Sequence, residues 1–175
     1  SKQILVPIGE TVPFPAIASI ILPDSAIDDS PFTKGDQYNV IKTGDTCYGG
    51  IICYESIFSS EARKAVKNGA TVIVLPSNDS WFGTSTALYQ HHAHAILRAV
   101  ENKRYVLRAS NTAISSVISP YGVIQASAPR YQLAAINTVF SPVKSRTLYS
   151  YAGDIIVLPG TAMFLIGIVK RKRNT

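Results

Sequence analysis

At 175 residues, with 46% hydrophobic and 16% charged side chains, the chain is long enough for one domain with a sizeable core and too apolar to be disordered. Its net charge of +6 is unevenly placed: four positive charges are consecutive, Lys170-Arg171-Lys172-Arg173, and the remainder carries only +2. No basic stripe interleaved with aromatics runs through the body and no internal repeat occurs, which excludes a nucleic-acid partner and a solenoid.

Residues 4–6 read as the end of a strand. Pro7, Pro13, Pro15, Pro23 and Pro31, with scattered Asp and Gly, then make loops dominate as far as Gly44. So long a loop-rich stretch points to a lid or a path for substrate. The chain opens at Ser1 with neither an initiator Met nor a signal peptide, so its start is expected to be a cut or split within a domain.

From residue 47 the pattern becomes regular. A short apolar run at 47–53 suits a buried strand, 59–68 has the cap, charges and spacing of a helix that Gly69 ends, and 71–75 is a second, β-branched strand. After the turn-like Pro76-Ser77-Asn78-Asp79, a long helix is expected over about 84–103 and a third strand at 105–109. This alternation implies parallel pairing through right-handed crossovers. Beyond it, 113–118, 123–126 and 133–139 alternate around turns such as Pro120-Tyr121-Gly122 and predict a hairpin meander. The fold class is α/β, with a mixed sheet and helices on one face.

Residues 155–169 are uncharged and, as a helix at about 1.5 Å per residue, span roughly 22 Å, short of the roughly 30 Å hydrocarbon core of a bilayer. A buried core helix and a membrane segment both fit that length. The cationic flank favours a transmembrane helix ending in the cytoplasm, kinked at Pro159-Gly160.

The two cysteines, Cys47 and Cys53, make neither a disulfide framework nor a zinc pattern. Cys53 falls at the predicted carboxyl end of a strand just before a helix, where open α/β sheets bind ligands and a sharp turn holds a side chain exposed. It is a candidate nucleophile, although the same position suits a buried structural cysteine, the reading adopted for Cys47. His91, His92 and His94 share the long helix, but no His-Glu-x-x-His occurs, so they read as ordinary helix-face residues and no metal is expected. Arg98 and Glu101 read as a structural ion pair.

Five segments carry a family resemblance. They are Lys2-Gln3-Ile4-Leu5-Val6-Pro7-Ile8-Gly9-Glu10-Thr11-Val12-Pro13-Phe14; Ile52-Cys53-Tyr54-Glu55; Ser77-Asn78-Asp79-Ser80-Trp81-Phe82-Gly83; the run from Gln90-His91 through Arg98-Ala99-Val100-Glu101 and Arg104 to Arg108-Ala109-Ser110-Asn111-Thr112; and Thr147-Leu148-Tyr149 with Gly153-Asp154. In order, and spanning nearly the whole chain, they resemble the nitrilase superfamily of carbon-nitrogen hydrolases, and within it the apolipoprotein N-acyltransferase family. Soluble nitrilase relatives share the Lys and Cys segments, whereas Leu-Val-Pro-x-Gly-Glu and Asn-Asp-x-Trp-Phe-Gly point to the acyltransferases.

The resemblance implies a nitrilase-like αββα sandwich with a Glu-Lys-Cys triad and no cofactor. Cys53 would attack a phospholipid acyl ester to form a thioester, and the α-amine of a diacylglyceryl-modified apolipoprotein would then take the acyl chain, in ping-pong order. Lys2 would set a positive charge beside the thiolate and the oxyanion. Glu10, Tyr54 and Glu55 match supporting positions whose roles stay open: either carboxylate could orient Lys2 or cap a turn. Trp81 and Phe82, with Asn78, are candidate substrate-binding residues along an acyl-chain channel, core packing being the alternative for the aromatics.

The family's general-base Glu belongs upstream of Lys2, so no residue of this sequence takes that role, and the isolated chain is not expected to turn over. Residues 1–154 are expected to be the C-terminal portion of a catalytic domain on the outer face of a bacterial inner membrane, 155–169 a membrane helix and 170–175 a basic cytoplasmic tail. A separate N-terminal polypeptide could supply the missing Glu. The alternatives are a soluble nitrilase-type amidase and a catalytically inert, membrane-anchored remnant. Ile8 and Ala113 depart from the family's usual Phe and Gly.

Overall fold

The computed structural model describes residues 1–7, 10–11 and 32–173. Most of the proline-rich stretch expected to form a lid, residues 8–9 and 12–31, lies outside the described residues.

Six strands form one sheet in the order of the chain: β1 (Val40–Thr43), β2 (Thr46–Gly50), β3 (Val72–Ser77), β4 (Tyr105–Ser110), β5 (Ser115–Ile118) and β6 (Ile124–Ala128). Between β2 and β3 runs helix α1 (Ser59–Lys67), and between β3 and β4 the long α2 (Ala87–Asn102). These two crossovers make β2, β3 and β4 parallel, as the sequence alternation predicts, while β1, β5 and β6 add antiparallel edges. The α/β fold class expected from the sequence is therefore present, and the described residues supply one sheet with one helical layer of the expected αββα arrangement.

The helical layer packs closely because its inner face is built from small residues. Ala62, Val66, Ala95 and Ala99 meet Ile51, Ile73, Leu75, Val106 and Ile118 of the sheet side, all essentially inaccessible to solvent. Along α2 the buried positions are Leu88, His91, His92, Ala95, Arg98, Ala99 and Asn102, a stripe at helical spacing. Two of the histidines expected on an ordinary helix face thus belong to the interior.

Two expectations for the meander change. The strand expected at 133–139 is absent, because Leu133 and Val139 stand fully exposed with no sheet face to cover them. Short β1 appears inside the stretch read as loop, and three of its four residues are exposed. The irregular segment after β6 is tied back by the buried Arg104, which donates to the carbonyls of Ala70 (2.8 Å), Lys103 (3.0 Å) and Ser145 (2.5 Å).

Near the C-terminus, Thr147 caps α3 (Leu148–Ala152) by accepting from the Ser150 N–H at 3.0 Å, and it donates to the Glu101 carbonyl at 2.5 Å. Helix α4 (Val157–Arg173) follows. It runs without interruption past Pro159 and Gly160, since Pro159 lies in the first turn, where a backbone N–H has no intrahelical partner to lose. It also takes in the basic run to Arg173. At 17 residues it is about 25 Å long, and among the described residues no helix is long and apolar enough to cross a membrane.

Candidate active site

Cys53 does not lie in the strand expected to carry it. Strand β2 ends at Gly50, and the chain turns through Ile51 and Ile52 into a 3-10 turn over Cys53–Ile57. Cys53 itself has φ +52°, a left-handed conformation that costs an L-residue about 1–2 kcal/mol and persists only where surrounding contacts enforce it. The turn stands at the carboxyl edge of the parallel strands, and the Sγ reaches towards the Asn78 carbonyl, 3.8 Å away, at the end of β3.

Four contacts hold the turn from the side of α2. His91 Nε2 lies 3.1 Å from the Cys53 carbonyl and 2.9 Å from Ser56 Oγ, which itself donates to that carbonyl at 2.9 Å. Arg98, two helical turns further along the same face, donates to the Ser56 and Ile57 carbonyls at 3.2 and 3.1 Å. Its other arm reaches Glu101 at 2.7 Å, the ion pair expected from the sequence.

Behind the turn, His91 Nδ1 is 2.6 Å from Asp79 Oδ1, and Arg108 Nη2 and Ser110 Oγ both donate to Asp79 Oδ2 at 2.5 Å. Asp79 has no solvent exposure. Burial alone would raise its pKa, but the hydrogen bonds from His91 and Ser110 and the charge of Arg108 prevail and hold the carboxyl well below the usual carboxylate range. Burial pushes the Arg108 guanidinium down, and the negative charge of Asp79 and the proximity of Cys53 act in the opposite direction. Neighbouring His92 donates to or accepts from Ser116 Oγ at 2.8 Å; burial first, and then the charge of Arg108, pull its pKa down to about 4.

On the other side stands the N-terminal arm. Lys2 Nζ contacts both oxygens of Glu10, at 2.6 and 2.5 Å, and Glu10 also accepts from the Val6 N–H at 2.8 Å. Burial raises the Glu10 pKa, but these contacts outweigh it and leave the carboxylate below its ordinary value. Glu55 does something different. Fully buried, it accepts from the Ile52 N–H at 2.6 Å with one oxygen, and from the backbone N–H groups of Gln3 and Ile4 with the other. One carboxylate thereby joins the backbone of the thiol turn to the backbone that carries Lys2. Of the two roles left open by the sequence, Glu10 meets the ammonium and Glu55 fixes the chain beneath it.

Lys2, Glu10, Cys53, Tyr54, Asn78, Trp81 and Phe82 all line one cleft of about 1000 Å³. Its walls are largely apolar, including Val6, Ile52 and Ile57. Trp81 is 75% exposed and so forms rim, not core. Phe82 sits deeper, edge-on to the His91 ring at 5.5 Å between centroids. Tyr54 stacks edge-on with Phe58 at 5.3 Å. The Asn78 side chain accepts from Ser80 Oγ and Asn111 Nδ2, both at 2.7 Å, and so braces the loops after β3 and β4. Cys47, within β2, hydrogen-bonds through its backbone to Thr71 and lines no part of the cleft. Among the described residues no group of three His, Cys, Asp or Glu side chains is placed to hold a metal ion.

The residues that sequence reasoning passed over are Asp79, His91 and Arg108. The signal for His91 was its register: it shares the buried stripe of α2 with Ala95, Arg98 and Asn102.

A thiol on a left-handed turn at the carboxyl edge of the parallel strands of a mixed sheet is the arrangement of an α/β enzyme with a covalent nucleophile. The chain belongs to the carbon-nitrogen hydrolase family, whose sequence profile matches residues 9–144. Among solved structures it resembles Saccharomyces cerevisiae Nit3, a member of branch 10 of the nitrilase superfamily, with a TM-score of 0.52, 28% identity, and coverage of 61% of this chain and 41% of that one. It shares its fold with an amidase from Nesterenkonia AN1 at a TM-score of 0.50 and 22% identity, over 57% of this chain and 40% of that one. In sequence it is 34% identical over 177 residues to apolipoprotein N-acyltransferase of Shewanella oneidensis, covering 99% of this chain and 34% of that protein. The protein of the same name from Geobacter metallireducens is 36% identical over 155 residues, covering 86% and 29%. The chain thus spans about a third of the length of the curated relatives it matches.

Proposed function

We propose that this chain carries the thiol half of a lipoprotein N-acyltransferase. The carrying observation is that Cys53 and Lys2 line the same apolar-walled cleft, and two relatives of the same name match the chain over most of its length.

In the first half-reaction the thiol gives up its proton, and the sulfur attacks the carbonyl carbon of a phospholipid acyl ester. The tetrahedral oxyanion collapses to a thioester on Cys53, and the lysophospholipid alkoxide leaves and takes a proton. In the second, the α-amine of a diacylglyceryl-cysteine at a lipoprotein N-terminus attacks the thioester, loses a proton, and releases the thiolate. Lys2 favours both tetrahedral states by placing positive charge where negative charge develops. Glu10 steadies that charge.

Neither described carboxylate of the site suits the proton acceptor. Glu10 is engaged by Lys2 and held below its ordinary pKa, which makes it a weak base, and Glu55 is buried among three backbone donors. The acceptor in this reading is a Glu supplied from outside these 175 residues, by the same or a separate polypeptide. Residues 1–154 then form the C-terminal portion of the catalytic domain, at the outer face of a bacterial inner membrane. The segment 155–169 faces lipid and 170–175 lies on the cytoplasmic side. The exposed Leu158, Met163, Phe164 and Ile166 of α4 support contact with hydrocarbon.

The test is acyl-enzyme trapping in the full-length protein. After incubation with phospholipid and rapid denaturation, the peptide bearing Cys53 is expected to gain the mass of one acyl chain, removable by neutral hydroxylamine. Cys53→Ala should lower lipoprotein acylation by at least about 10³-fold, as expected when a covalent nucleophile is removed. Acyl mass on another residue, or undiminished acylation in Cys53→Ala, would sink the reading.

A further inference from the structure

We propose that His91 is a positioning residue for the thiol: its ring links the Cys53 carbonyl to the buried Asp79–Arg108 pair and so sets the direction in which Sγ enters the cleft. The inference rests on the reading of Cys53 as the nucleophile and adds a residue to that machinery.

The case begins with the backbone of Cys53. A φ of +52° is unfavourable for any residue with a Cβ, so contacts must enforce it. The carbonyl of Cys53 has two such contacts, Ser56 Oγ at 2.9 Å and His91 Nε2 at 3.1 Å. Ser56 belongs to the same turn and moves with it. His91 is anchored elsewhere, so it is the contact that ties this carbonyl to the residues behind the turn.

That anchorage has a fixed sense. The Asp79 carboxylate and the Cys53 carbonyl both accept only, so the ring that joins them carries a hydrogen on each nitrogen: Nδ1–H donates to Asp79 at 2.6 Å and Nε2–H to the Cys53 carbonyl at 3.1 Å, and the ring plane is set. Asp79 in turn is bound by Arg108 and Ser110 of β4 and by Ser77 of β3, the last at 2.9 Å. The line from the sheet edge to the thiol turn therefore runs through rigid elements at every step. His91 is only 3% exposed, and the Phe82 edge closes over its ring. Arg98 grips the far end of the same turn from the same helix face, so α2 holds both ends, through His91 at the end that bears the sulfur. Because the Cys53 carbonyl and its Cα belong to one peptide unit, a displacement of that oxygen swings Sγ through a comparable distance. A misplacement of about 1 Å in a reacting group can cost about 10²-fold in rate.

Two side chains divide the imidazole between them. The Nε2 amide of a glutamine occupies the place of His Nε2 and can still donate to the Cys53 carbonyl, while giving up Asp79. The Nδ2 amide of an asparagine occupies the place of Nδ1, keeps Asp79 and gives up the carbonyl. In the full-length protein, His91→Asn is expected to slow acyl-enzyme formation by about 10²-fold with KM for phospholipid within about twofold, and His91→Gln to recover at least about tenfold of that loss. The melting temperatures should fall in the opposite order, His91→Gln lower than His91→Asn, because glutamine leaves Asp79 short of a donor. Ser56→Ala, which removes the other donor to the same carbonyl, should slow the step several-fold at unchanged KM.

Rates that follow the melting temperatures, or parental rates in His91→Asn, would show a merely structural histidine and overturn the proposal. Where His91→Asn does not fold, a loss of about 10²-fold or more in a folded His91→Gln, which keeps the donor to the carbonyl, overturns it. Cys53→Ala separates the two levels of failure. If it abolishes acylation while the His91 and Ser56 variants stay parental, only the positioning role falls; if it leaves acylation intact, the nucleophile reading falls and the positioning role with it.

Discussion

The two halves of the candidate site are built on different principles. The sulfur stands on a turn gripped by a helix and backed by two central strands, with a buried chain of ionic hydrogen bonds behind it. The ammonium stands on an arm whose described residues pack no side chain into the core. That arm is held chiefly by Glu55, with a further bond from the Gly35 N–H to the Lys2 carbonyl at 2.7 Å. The contrast teaches that one half owes its place to the fold as a whole, and the other to a few polar contacts that can be removed singly.

The sharpest way to break that contrast is to strike the rigid half at its centre. Asp79→Ala leaves the guanidinium of Arg108 buried without its partner, and the loss of one member of a buried ion pair costs about 3–5 kcal/mol. Urea unfolding of the full-length protein should show a loss of that size. A change below about 1 kcal/mol, the range of an exposed pair, would mean that Asp79 is not the hub of the body.

A smaller effect with a more local signature is expected at the joint. Glu55→Gln keeps the shape but loses the charge that three backbone N–H groups share, a loss of roughly 1.5–3 kcal/mol for hydrogen bonds to a charged group. Amide hydrogen exchange should rise most at Gln3 and Ile4, with little change in β3 and β4. Uniform exchange across both regions would show that arm and body form one cooperative unit.

Acid should separate the halves most gently. His92 has a folded pKa of about 4, below its ordinary value near 6.5, so the unfolded chain binds the extra proton first as pH falls. Its contribution is fully present above about pH 6.5 and is lost progressively down to about pH 4. Glu10, also depressed, holds its contribution above its ordinary range near 4.5 and loses it only as pH falls through its lower folded value. The body should therefore soften before the Lys2–Glu10 contact opens. Stability curves against pH for His92→Gln and Glu10→Gln check this: the first should flatten between pH 6.5 and 4, the second only below about pH 4.5.

The body was also the legible half. Its strand and helix alternation follows from β-branched runs at 71–75 and 105–109 and from caps and glycines between them, because in a parallel sheet local pattern and burial agree. Where they disagree, reading fails. The apolar residues at 133–139 promised a strand, yet nothing covers them, and β1 is too short and too exposed to show a period. Cys53 and Lys2 could be paired only through a family resemblance, since no local rule links residues so far apart. His91 looked like surface because three close histidines resemble a solvated face. Only the spacing to Ala95 and Arg98, which places it on the inner stripe, speaks otherwise.

The strand order itself has a consequence for how the molecule comes into being. Each strand pairs with its neighbour in the chain, so a ribosome can deliver the sheet as a zipper, one tooth at a time, with helical crossovers at the two parallel steps and shorter links at the antiparallel ones. The arm does not follow that schedule. Its anchor, Glu55, lies about fifty positions downstream and depends on a finished turn, so Lys2 takes its place along the cleft only after the first teeth have closed.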